Sequence, residues 1–144
     1  MNYTSDDIIG FIVHKTGCSE HEVSLTSDLD NDLGCTGDDF HELMDEFAKT
    51  FGVDMNSYRW YFHTVEEGHL HSIGRLFFNP PSERVKHIAV TPSILLDSAI
   101  SGRWIINYPE HLLPKRRFDL LINKFLFFGI ILFLIFLMLK VTWK

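Results

Sequence analysis

A chain of 144 residues, 46% hydrophobic, with thirteen Lys and Arg against nineteen Asp and Glu, has room for one domain plus an appendage and excludes two separate globular domains. Its charge is unevenly placed: residues 1–113 hold seven basic and eighteen acidic side chains, a net of −11, whereas residues 114–144 hold six basic and one acidic, a net of +5. A surface this acidic repels nucleic acid, whose binding needs Lys and Arg to displace counterions from phosphates, and it favours a partner with a basic surface.

The first residues, Met1 to Asp7, lack the basic start and apolar run of an export signal. Ser5 is a candidate cap for a first helix carrying Ile8, Ile9, Ile12 and Val13 on one side, and Gly17 is its natural stop. A polar stretch, 18–39, follows, with Val23, Leu25, Leu29 and Leu33 spaced to tuck an irregular loop onto a core before the turn Gly34-Cys35-Thr36-Gly37. Over residues 38–51, Phe40, Leu43, Met44, Phe47 and Phe51 recur at steps of three and four, which predicts a second helix ended by Gly52. The exposed side of that helix carries Asp38, Asp39, Glu42, Asp45 and Glu46, with Lys49 its one positive charge. Acids in the first turn suit the helix dipole, so part of this pattern stabilises the helix whatever its use.

In residues 56–90, Tyr58, Trp60, Tyr61 and Phe62 form an aromatic cluster best used as core bulk, and Pro80-Pro81 interrupts the chain. Thr91 as cap and Pro92 at the first position start a short last helix, with Ile94, Leu95, Ala99 and Ile100 inward until Gly102. The domain is thus expected over 1–110, a basic linker over 111–119 and a transmembrane helix over 120–141. Residues 125–139 carry no polar side chain, and starting at Leu120 lengthens the segment to about 30 Å, enough for the hydrocarbon core, with Lys124 free to snorkel. Lys115, Arg116 and Arg117 before it, against Lys140 and Lys144 after, place the N-terminal domain in the cytoplasm, with Trp143 at the far interface.

The order of a first helix, Gly17-Cys18-Ser19-Glu20-His21-Glu22-Val23, a long loop, Asp32-Leu33-Gly34 and an acidic second helix resembles an acyl carrier protein over about residues 5–55. That resemblance implies a small helical bundle whose second helix meets partner enzymes. In carrier proteins the Asp-Leu-Gly is followed, one residue on, by Asp-Ser-Leu with the phosphopantetheine serine; here those positions read Thr36-Gly37-Asp38, and Gly37 has no hydroxyl. The wider pattern, Gly34-x-x-Gly37-Asp38-Asp39, then Tyr61-Phe62, then Thr91-Pro92 to Gly102-Arg103-Trp104, is similar to a bacterial family known as domain of unknown function 1493. The resemblance implies a mainly α, acyl-carrier-like helical bundle; with the C-terminal transmembrane helix read from the apolar run, the chain is expected to be single-pass in the cell inner membrane.

Other constellations are weaker. Asp28, Asp30 and Asp32 begin like a calcium loop, with Asp39 twelve positions from the start, but Leu33 stands where the loop's turn requires glycine, which leaves a solvated acidic loop. His69 and His71, with His63 nearby, lack the further ligands of a zinc site and read as exposed loop histidines. Cys18 and Cys35 are expected to be reduced thiols, and no Gly-x-Ser-x-Gly elbow presents a nucleophile. The expectation is therefore a binding module, not an enzyme, with no metal or cofactor, docking a basic-surfaced protein through Asp38, Asp39, Glu42, Asp45 and Glu46; the alternative is a genuine acyl carrier for a membrane-associated lipid or peptide assembly enzyme.

Overall fold

The computed structural model describes residues 3–68 and 72–142. It is mainly helical, and among the described residues the only extended pairing is an isolated parallel bridge between Asp54 and Arg103. Four α-helices occur in chain order: α1 (Ser5–Thr16), α2 (Gly37–Phe51), α3 (Pro92–Ser101) and α4 (Phe118–Thr142).

The cap of α1 is Thr4 rather than Ser5. Thr4 Oγ1 accepts the Asp7 N–H at 3.3 Å while the Asp7 carboxylate accepts the Thr4 N–H at 2.8 Å, a reciprocal box that needs an acid three residues after the cap. Ser5 has Ile8 at that position, so it starts the helix instead. The same side-chain logic holds α3, whose cap Thr91 accepts the Ile94 N–H and whose first residue is Pro92.

The core forms where α1, α2 and α3 meet. Ile8, Ile12, Phe40, Phe47, Leu29 and Leu95 have no solvent access, and Leu43, Met44, Phe51 and Ala99 are buried beside them. All five apolar positions of α2's stripe are thus inside, as its period requires. Ile100 is 58% exposed, because it lies five residues past Leu95 and so falls off the Leu95–Ala99 stripe. Leu25 is also exposed, while Val23 and Leu29 of the same loop are buried. The loop is fixed by its backbone: the Leu29 N–H donates to the Val90 carbonyl at 3.0 Å and the Ser93 N–H to the Leu25 carbonyl at 3.1 Å.

Among the described residues of 56–90 there is no α-helix; they make short 3₁₀ turns at Trp60–Phe62, Gly74–Leu76 and Pro81–Glu83. Of the aromatic cluster only Phe62 is fully buried. α4 is 25 residues long; its most apolar stretch has a mean hydropathy of 2.6, and none of that stretch is buried by the rest of the chain. It is long and apolar enough to cross a membrane.

Candidate functional site

With Phe40, Leu43, Phe47 and Phe51 turned into the core, α2 has no choice about which residues face out. Asp38, Asp39, Glu42 and Asp45 are exposed, and none of them forms an ion pair among the described residues. Glu46 differs: it is half-buried and paired with Lys15 in the last turn of α1. The five acids predicted from sequence therefore share one helix face, but one of them is already spent on holding α1 to α2.

Beside this face, Lys15, Leu33, Gly34, Cys35, Asp39 and Glu42 line a cleft of ≈ 190 Å³. Cys35 is buried, and burial, followed by the charges of Asp39 and Asp30, pushes its thiol up to about 11. At neutral pH it is a packed thiol and not a nucleophile. Both cysteines are free.

Gly37, the position that the carrier resemblance aligns with the attachment serine, is buried. Its φ is +60°, a left-handed conformation that side chains rarely adopt. Its N–H donates to Thr64 Oγ1 at 3.0 Å, and Thr64 in turn donates to Asp30 Oδ1 at 2.7 Å. A Cβ at position 37 would collide with the side chain of Glu67. The segment 64–67 thus lies over this corner of α2, a cover that sequence reasoning missed because it joins residues 27 positions apart.

The acids of the 28–32 loop are not uniformly solvated: Asp32 is exposed and Asp30 half-buried. Asp28 is buried: its carboxylate accepts the Asp30 N–H at 3.2 Å, Asn31 Nδ2 at 2.8 Å and His87 Nε2 at 2.6 Å. The Asp32 carboxylate accepts the Asp28 N–H at 2.8 Å. These oxygens fold the loop on itself and tie it to residues 64 and 87. Among the described residues no group of three His, Cys, Asp or Glu could hold a metal ion; His69 and His71 lie outside the described residues.

His63 is not an exposed loop histidine. It is fully buried, stacked on Tyr58 with centroids 5.5 Å apart, and burial pushes its pKa down to about 4. The neutral ring donates from Nδ1 to the Ile88 carbonyl at 2.7 Å and accepts at Nε2 from the Tyr108 hydroxyl at 2.7 Å. Trp104 Nε1 donates to that same hydroxyl at 2.7 Å, so the ring nitrogens of both residues are satisfied and the segment after α3 is bound to the aromatic turn.

The second site of interest is where α4 begins. Residues 118 and 119, expected in a linker, are the first residues of the helix, and Asp119 is 5% exposed. Arg117 bridges to it: one guanidinium donates to the Glu66 carboxylate at 2.9 and 2.6 Å and to Asp119 at 2.9 and 2.5 Å. One turn on, Asn123 accepts the Gly74 N–H at 2.8 Å and donates to Ser72 Oγ at 2.7 Å, and Phe78 packs on Phe118 with centroids 5.4 Å apart. Gly74 touches the Asp119 backbone so closely that a Cβ would collide with the carbonyl. The available signal was a polar pair four residues apart, Asp119 and Asn123, at the head of an otherwise apolar helix; such a pair needs partners.

No solved structure matches this chain. The family model described as Protein of unknown function (DUF1493) matches residues 4–107, which spans α1 to α3 and ends before the α4 junction. The chain therefore belongs to the DUF1493 family.

Proposed function

We propose that this chain is a membrane-anchored, acyl-carrier-like binding module that carries no prosthetic group and docks a protein with a basic surface through α2. The observation that carries the reading is the row Asp38, Asp39, Glu42 and Asp45: four exposed carboxylates on one rigid helix with no cation paired to them among the described residues. Unneutralised charge of one sign steers association and selects partners of the opposite sign. Glu46 contributes less, since Lys15 already neutralises it. α4 crosses the inner membrane in this reading, the basic residues before it keeping the domain in the cytoplasm, and the tether raises the domain's concentration near a membrane-associated partner.

The burial of Gly37, its positive φ and the Glu67 cover argue against the rival reading as a genuine acyl carrier, whose attachment residue must reach a modifying enzyme. Two experiments test the proposal. A photoreactive residue at exposed position 49 of α2, in native membranes, yields a discrete protein adduct; Glu42→Lys with Asp45→Lys lowers its yield at least tenfold while circular dichroism stays unchanged, and an undiminished yield refutes docking. After co-expression with a phosphopantetheinyl transferase the intact mass is that of the bare chain, and an added prosthetic group would establish the carrier instead.

A further inference from the structure

We infer that the segment 72–78 is a second membrane contact: an apolar foot that rests in the headgroup and upper acyl region of a phospholipid bilayer beside the point where α4 enters it. The inference rests on α4 crossing a membrane, as proposed above. Its height along α4 is fixed by contacts at both ends. Gly74 and Ser72 bond to Asn123, two residues before the purely apolar run that starts at Phe125, and Phe78 packs against Phe118, the first residue of the helix. At 1.5 Å of rise per residue, Asn123 lies about 3 Å above that run, so this segment sits at the boundary between headgroups and acyl chains.

At that level the segment turns apolar side chains outward. Ile73 is 51%, Leu76 81% and Phe77 68% exposed, all within one short turn. The turn does not bury them because its inner surface is occupied by backbone: Gly74 is pressed against the Asp119 carbonyl and the Phe77 and Phe78 N–H groups both close on the Gly74 carbonyl at 3.1 and 2.9 Å. Three large apolar side chains on an acidic, soluble domain call for a cover. The charge around them says which. The domain bears a net of −11 over residues 1–113, yet Lys115, Arg116 and Lys124 gather at the start of α4, with Arg116 and Lys124 lining one groove there. Outward apolar side chains beside the start of a spanning helix that carries Arg116 and Lys124 at the same level suit an anionic phospholipid surface.

The test uses the full chain in nanodiscs of phosphatidylethanolamine and phosphatidylglycerol at three to one. A benzoylphenylalanine replaces, one at a time, Phe77 in the foot, Phe136 within α4 and Asp54 on the far part of the domain, all exposed positions, and adducts are read by intact mass after irradiation. The expected result is a phospholipid adduct at positions 77 and 136 and none at 54. A phospholipid adduct at 136 without one at 77 overturns the foot and leaves the anchor standing. A cross-linked dimer from position 77, in place of lipid, assigns the face to a second copy of the chain and likewise overturns it. No lipid adduct at 136 refutes the anchor and the foot together. As a second reading, Leu76→Glu with Phe77→Glu, both on exposed positions, raises amide exchange of residues 72–78 at least tenfold in the nanodisc and leaves that of α1 to α3 unchanged; equal exchange of 72–78 in both chains contradicts lipid contact.

Discussion

Between α1, α2 and α3 the chain buries Ile8, Ile12, Phe40, Phe47 and Leu95, an apolar joint to whose edge the Lys15–Glu46 pair adds a charged contact. Where α4 meets the domain, one ring pair, Phe78 on Phe118, is joined by a guanidinium, two carboxylates, a carboxamide, a hydroxyl and a glycine backbone. The first kind of joint gains from area and tolerates small shifts, because apolar contact has no direction. The second is directional: each donor must be aimed at its acceptor, and an unmade bond leaves a buried polar group exposed to its full desolvation cost. The domain is thus held together by burial and held to α4 by geometry.

The sharpest way to break the first joint is Phe47→Ala. A fully buried ring lost from the centre of α2 should cost about 3–5 kcal/mol and lower amide protection throughout α1 to α3, read by hydrogen exchange of the full chain in detergent. Arg117→Met should break only the second. It leaves Asp119 buried without its guanidinium, at a cost of about 2 kcal/mol given that the cluster is partly exposed, and protection should fall over 72–78 and 117–123 while α2 is unchanged. Equal loss in both regions would show the two joints to be one cooperative unit.

Proton linkage separates a third place, the His63 network between them. Its pKa falls from an ordinary 6.5 to about 4 on folding, so between those values the unfolded chain binds a proton that the native chain does not. Stability contributed by this group is therefore complete above about pH 6.5 and declines as pH falls toward 4, by about 2 kcal/mol between pH 7 and pH 5. Urea midpoints at the two pH values should show that loss in the native chain and a smaller one in His63→Gln, which does not titrate. The smallest effect is expected at Gly37→Ser. The left-handed φ and the Glu67 contact should cost about 1 kcal/mol, and the new hydroxyl should stay unmodified by a phosphopantetheinyl transferase.

The two joints also differ in how far residue order discloses them. The apolar stripe of α2, the Thr91-Pro92 start of α3 and the apolar length of α4 are local patterns, and each is present in the structure. The cap of α1 was one residue off because two hydroxyls, Thr4 and Ser5, compete and only the Asp7 carboxylate decides between them. The four exposed acids of α2 follow from the same stripe, yet the Lys15 contact that removes Glu46 from their number needs two helices packed together. The α4 junction lies beyond local pattern altogether. Arg117 and Glu66 are 51 positions apart and Gly74 and Asn123 are 49 apart, and what makes Gly74 necessary is the nearness of another backbone, which has no signature in composition or period. The burial of His63 was hidden for a related reason, since its partners Ile88 and Tyr108 are 25 and 45 residues further on.

The Arg117 clamp and the Asn123 bridge bear on how a partner would find this protein. A domain on a slack leash samples every tilt, and each encounter must select one. If α4 spans a bilayer as proposed, a domain fastened at Glu66, Ser72 and Gly74 to the head of that helix would keep a single heading as it diffused in the membrane plane, and its acidic row would travel at constant height. Two membrane proteins that meet this way have already lost most of their rotational freedom, and collision leaves little further ordering to be done before contact.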